Sequence, residues 1–147
     1  MADLPVARPA NLNPWLVGLA FVGGSLGTLA RWTVGALVPH SEALPVSTLA
    51  VNLVGAFALG LLLAGLARGG PDEGGRRAFR VTLGSGFCGG FTTYSALSVE
   101  THALLRTGLT GTAFAYAVGT VVLGVVATAA GFALVSRARG PGRGQPA

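Results

Sequence analysis

Lysine is missing from this 147-residue chain, and cysteine occurs once. Charge of either sign is scarce: 10% of the residues are charged, against 51% hydrophobic. Soluble domains usually carry about a quarter charged residues. A soluble monomer so poor in charge would expose large apolar patches and aggregate. The composition therefore places the chain among integral membrane proteins, with lipid as solvent and partner. The net charge of +5 rests on arginine alone among the basic residues. On so apolar a chain arginine belongs at membrane surfaces, so no nucleic-acid partner is expected. The single Cys88 excludes an internal disulfide and a CxxC metal site. Residues 1–13 hold Asp3, Pro5 and Pro9, with no basic cluster and no separate short apolar core, so they do not read as a secretory signal.

What is abundant is apolar sequence in long runs. A span needs about 20 apolar residues, and four segments qualify: Trp15 to Val38, stopped by Pro39; Leu44 to Ala67, begun by Pro45; Phe79 to Arg106; and Gly111 to Val135. The expected architecture is all-α, with four transmembrane helices over residues 15–135, an N-terminal tail over 1–14 and a disordered basic tail over 136–147. Four short helices make a thin bundle, so a pore would call for an oligomer. Gly23 and Gly27, and Gly60 and Ala64, stand one turn apart, a spacing that lets helix backbones approach closely in lipid.

Two enzyme-like motifs fail on context. Gly84-Ser-Gly86-Phe-Cys-Gly89 has the letters of a dinucleotide fingerprint, but no carboxylate follows about 20 positions on, where Arg106 to Thr112 lie. Gly23-Gly-Ser25-Leu-Gly27 has the letters of a nucleophile elbow, but His40 and His102 fall at expected helix ends, away from Ser25. The spans hold no catalytic base or metal cluster, and no enzymatic activity is expected.

Polar groups inside a span are costly and mark candidate sites. Arg31 lies about 10 Å deep at 1.5 Å per residue, either snorkelling beside Trp32 or standing at the mouth of an anion pathway. Thr48 and Asn52 share one face of the second helix, either bonding between helices or offering amide N–H groups to an anion. The third span is the most informative. From Gly84 to Ser95 it is crowded with Gly, Ser and Thr, and Gly89-Gly90 followed by Thr92-Thr93 predicts a break in mid-membrane. Irregular backbone at that depth is tolerated only when buried in protein or lining a cavity. A break frees N–H groups that can hold an anion and carbonyls that can hold a cation. In the fourth span Thr112, Tyr116, Thr120 and Thr128 fall at multiples of four, forming a polar stripe. Their hydroxyls either donate to a passing anion or bond the carbonyl four residues back.

Together these features closely resemble the Fluc/CrcB family of small fluoride channels. The matching elements are Gly23-Gly-Ser-Leu-Gly27 with Arg31, Ser47-Thr-Leu-Ala-Val-Asn52-Leu-Val-Gly55, Gly86-Phe-Cys-Gly-Gly-Phe-Thr-Thr-Tyr-Ser95, Glu100, and Tyr116 with Thr120. The resemblance covers residues 15 to 135. It implies passive fluoride efflux through an antiparallel, dual-topology dimer, with two narrow pores and a structural Na⁺ at its centre. By that resemblance the Na⁺ is held by the Gly89 and Thr92 carbonyls, and the pore is lined by Asn52, Thr48, Ser95, Tyr116 and Thr120. Arg31 and Glu100 match the family's charged positions. The family's two pore phenylalanines fall at Tyr94, which keeps a ring, and at Leu97, which has none. A small multidrug exporter is the nearest rival, but such proteins rely on an acidic residue in the first helix, where this chain has Arg31. A non-conducting partner subunit of a heterodimeric channel is a second alternative.

The arginines predict orientation. With four spans, one side of the membrane holds Arg8, Arg68, Arg76, Arg77, Arg80, Arg137, Arg139 and Arg143, and the other only Arg106 outside the spans. By the positive-inside rule both termini are cytoplasmic. A chain so biased would pair with an oppositely oriented paralogue, unless the bias is overridden and it forms a homodimer. With Cys88 replaced and one cysteine placed in the tail, labelling from the cytoplasmic side alone is the expected result. Labelling of half the population from each face would establish dual topology.

Overall fold

The computed structural model describes residues 13–38 and 44–138. Most of the two expected tails lies outside these residues, as do Pro39, His40, Arg8, Arg139 and Arg143. Every element among the described residues is helical. Helix α1 is Pro14–Leu37; the Asn13 side chain accepts the Trp15 N–H at 3.0 Å, and Pro14 occupies the first turn, where its missing N–H costs nothing. Helix α2 is Val46–Ala67. Helix α3 covers 74–91 as three continuous pieces: Gly74–Phe79, a π-helical stretch Arg80–Cys88, and Gly89–Phe91. Helix α4 is Tyr94–Arg106 and α5 is Thr110–Arg137.

Two boundaries differ from expectation for physical reasons. Helix α3 starts at Gly74 rather than Phe79. Arg80 reaches back to Asp72 with Nε to Oδ1 at 3.0 Å and Nη2 to Oδ2 at 2.7 Å, tying the charged connection to the helix. The Arg80 hydrogen bond also holds the exposed Asp72 carboxyl below the usual carboxylate range. Second, Gly89 keeps helical angles (φ −65°, ψ −37°), and the break falls later, on Thr92 and Thr93. Gly84-Ser-Gly86 and Gly23-Gly-Ser25 both lie within helices, which removes the strand–turn contexts that their enzyme-like readings require.

Helices α2 and α5, of 22 and 28 residues, are long and apolar enough to cross a membrane. Helix α5 turns its hydroxyls inward and its valines outward. On α5, Ala113, Tyr116, Thr120 and Gly131 are buried, whereas Val118, Val121, Val122, Val125 and Val126 are exposed. That is the reverse of a water-soluble helix and suits a lipid or protein surround.

Glycine seats build the bundle. Helix α1 packs along α3, and α2 along α5. A Cβ on Gly23 would collide with the Thr82 carbonyl, one on Gly27 with the Phe87 carbonyl, and one on Gly90 with the Gly24 carbonyl. Position thus rises along both helices together, so α1 and α3 run parallel. The same holds for α2 and α5: Thr48 and Tyr116 meet at Glu100, and further along both helices Thr128 donates to the Ala56 carbonyl, where Gly60 faces the Thr128 carbonyl and Gly131 the Phe57 carbonyl. These contacts are backbone on backbone and cannot yield by a rotamer change. Gly60→Val or Gly131→Val is expected to cost about 1–3 kcal/mol or more through overpacking. Either variant should lose most of its monodisperse yield on size-exclusion chromatography. Gly35→Ala, where a Cβ meets nothing within 4 Å, should elute like the parent.

Candidate functional site at the helix break

Helix α3 stops at Phe91 because Thr92 turns extended (φ −76°, ψ 160°), and Thr93 follows at φ −148°, ψ 123°. Two residues of extended chain thus sit between two helices, and their backbone groups need partners. Two side chains supply them. Asn52 on α2 accepts the Thr93 N–H at 2.8 Å through Oδ1 and donates Nδ2–H to the Thr93 carbonyl at 3.1 Å. Arg31 on α1 donates from Nη1 to the Thr92 carbonyl at 3.4 Å. Thr93 caps α4 with its own hydroxyl, which accepts the Ala96 N–H at 3.2 Å. Helix α2 can come this close because Gly55 lies against the Thr92 side chain, where a Cβ would collide.

Two helical turns beyond Thr93 stands a second knot. The Glu100 carboxylate accepts the Thr48 hydroxyl at 2.7 Å and the Tyr116 hydroxyl at 2.6 Å. A single acidic side chain on α4 thereby joins α2 to α5 through two short charge-assisted bonds. Arg31, Ser47, Thr48, Thr93, Ser95 and Glu100 share a cavity of about 490 Å³. Arg31 and Glu100 line it together, but among the described residues no ion pair joins them. On the other side of the Asn52–Thr93 pair lies a more apolar groove bordered by Thr92, Tyr94, Leu97, Thr120 and Thr128. Thr93 lines both spaces, so the break is the wall between them.

The residues marked by sequence divide into groups. Thr48, Glu100 and Tyr116 are drawn together, and Asn52, Arg31 and Thr92 meet at the break. Ser95 lies 3.2 Å from the Thr93 hydroxyl. Thr120 gives its proton to the Tyr116 carbonyl at 2.7 Å, the back-bonding arrangement. Thr128 divides its hydroxyl between the Gly124 and Ala56 carbonyls at 3.0 and 3.1 Å. Leu97 is 8% exposed and packs with Leu104, Ala113 and Tyr116. Tyr94 is 82% exposed and turns away from the bundle. Gly89 is exposed on a regular helical turn, and a Cβ there would meet nothing within 4 Å. Sequence placed Thr93 at the break but did not name it as a site residue; it is the hub of the network there. A threonine placed directly before an apolar-periodic segment is an N-cap signal that could have found it.

Asn52→Ala would orphan a buried N–H and carbonyl of Thr93, at a cost of about 1–3 kcal/mol each. Asn52→Asp keeps the acceptor and loses the donor. The thermal midpoint is therefore expected to fall most for Asn52→Ala and less for Asn52→Asp. Equal midpoints for all three proteins would show that water replaces the Asn52 amide.

Comparison with known proteins places this arrangement. Residues 18–132 match the family described as CrcB-like protein, Camphor Resistance (CrcB). A protein of Leifsonia xyli named fluoride-specific ion channel FluC 2 is 45% identical over 126 residues, covering 86% of this chain and 87% of that protein. A FluC 1 of Cutibacterium acnes is 47% identical over 115 residues, covering 78% and 80%. A FluC of Pyrococcus horikoshii is 36% identical over 126 residues, covering 86% of this chain and 100% of that protein. The match spans the helices, the break and every residue of both hydrogen-bonded knots, and the chain belongs to the CrcB-like family of multi-pass membrane proteins.

Proposed function

We infer that this chain is a fluoride-selective channel subunit that lets fluoride leave the cytoplasm passively and so relieves the weak-acid accumulation of HF. The observation that carries this reading is the polar track along α2 and α4. It runs from Arg31, Ser47 and Thr48 past Asn52 and Thr93 to the groove bordered by Thr120 and Thr128. The three relatives above bear fluoride-specific channel names. Fluoride is small and strongly hydrated, so a narrow passage must replace its water with hydroxyl and amide donors. Asn52 uses one of its two N–H groups on Thr93 and keeps the other for an ion. Arg31 supplies positive potential at the mouth of the first cavity.

The working unit in this reading is an antiparallel dimer of four-span subunits. The outward-facing ring of Tyr94 and the valine face of α5 are the surfaces such a partner would cover. The Thr93 N–H, which a continuous helix would send to the Gly89 carbonyl four residues back, is spent on Asn52. The Gly89 carbonyl is thus released from that bond, three residues before the Thr92 carbonyl in the chain. Neutral carbonyl oxygens suit a hard cation such as Na⁺. One chain offers two of them, so a second copy would be needed to complete the shell. Bound there, Na⁺ would supply structural charge against converging carbonyl dipoles. The arginine distribution favours cytoplasmic termini, and numbered relatives such as FluC 1 and FluC 2 favour a paralogous partner. Leu97 faces the core in this subunit, which leaves Tyr94 as its aromatic contribution to a pore.

Proteoliposomes carrying the purified protein, alone or with an oppositely biased relative from the same genome, are expected to release fluoride and retain chloride. Asn52→Ala, assayed at a temperature where it remains dimeric, should lower fluoride release about tenfold, a transition-state loss of about 1.4 kcal/mol. Equal release of both ions, or fluoride release untouched in Asn52→Ala, would overturn the assignment.

A further inference from the structure

One cavity stands apart from the polar track. It opens where the N-terminal ends of the parallel helices α1 and α3 meet, and encloses about 410 Å³. Leu16, Val17 and Ala20 form one wall, and Arg77, Arg80, Val81 and Ser85 the other. Trp15, 68% exposed, begins the same turn of α1. An exposed tryptophan at the end of an apolar helix sits at headgroup level, which puts Arg77 and Arg80 at that level too. From there the cavity continues inward over aliphatic side chains.

The charges do not balance. Asp72 is the carboxylate bonded to this arginine pair, and it is committed to Arg80 at 2.7 Å. Its contact with Arg77 is long, at 3.8 Å. The cavity thus offers a guanidinium with spare donors above an apolar slot.

We propose that this cleft between α1 and α3 binds an acidic glycerophospholipid. The phosphate lies against Arg77 and Arg80, and an acyl chain lies along Leu16, Val17, Ala20 and Val81. A guanidinium fork matches phosphate geometry, and juxtamembrane arginines attract anionic lipid. A zwitterionic lipid would fill the slot equally well but would leave the surplus charge uncompensated. The lipid would act as a wedge on the open side of the α1–α3 seam.

The test uses the full chain in neutral detergent and counts retained lipid by native mass spectrometry. Phosphatidylglycerol should be retained and should raise the thermal midpoint, while phosphatidylcholine should do neither. Arg77→Gln keeps the Asp72–Arg80 bridge and should lower phosphatidylglycerol retention about fivefold. Arg106→Gln, a charge change at the far end of α4, should leave retention unchanged. Val17→Trp, which fills the slot with both arginines intact, should lower it as well. Equal retention of the two lipids overturns the proposal, as does equal loss in Arg77→Gln and Arg106→Gln. Full displacement by millimolar inorganic phosphate would reassign the cleft to a free anion. If Arg77→Gln does not fold, the Val17→Trp result decides alone, and undiminished retention there rejects the site.

Discussion

A peptide chain that leaves its helix inside a membrane must find new partners for the N–H and C=O groups it frees, because lipid offers none. At Thr92–Thr93 the partners are side chains on two other helices, Asn52 and Arg31. The rest of the bundle can be understood as the means of bringing them there. Gly55 lets α2 approach the break, and Gly27 and Gly90 let α1 lie close enough for Arg31 to reach across. Remove the close approach and the extended residues lose their satisfaction. Gly27, Gly55 and Gly90 thus serve a hydrogen-bonding requirement.

The second consequence is that polarity is concentrated inward. Glu100 is held by two hydroxyl donors on separate helices, and among the described residues no cationic side chain pairs with it. Its bonds fix α4 relative to α2 and α5, and that in turn fixes the depth of Ser95 and Thr93. A path for a small anion needs donors arranged without a trapping positive charge. The half-used Asn52 amide meets that need better than arginine would, and Arg31 lies at the rim of the first cavity, engaged with a carbonyl.

Much of the fold was legible because lipid-facing helices announce themselves by length and apolarity. The long runs around α2 and α5 left no competing reading. The break was legible as a region, since Gly89-Gly90 and Thr92-Thr93 both weaken a helix. Which pair yields was not, because glycine tolerates helical angles, whereas Thr93 gains a cap and the Asn52 amide by leaving the helix. Nor could sequence say that Thr120 and Thr128 spend their hydroxyls on nearby carbonyls; a stripe at four-residue spacing looks the same either way. Leu97 and Tyr94 sit three apart and border the same groove, yet one is buried and the other exposed. Only packing against Leu104 and Ala113 reveals that difference.

The parallel pairing of helices divides the molecule unexpectedly. Helix α3 is seated on α1, while α4 packs on α5, which is itself seated on α2. The stretch from Gly74 to Arg106 therefore changes allegiance along its length, and the crossover is the two-residue extended link. Each glycine-seated pair is stiff, since backbone rests on backbone. Within that span, sliding of one pair against the other converges on Thr92 and Thr93. The spaces on either side of Thr93 would then widen and narrow in opposition, like the two chambers of a lock with a single gate.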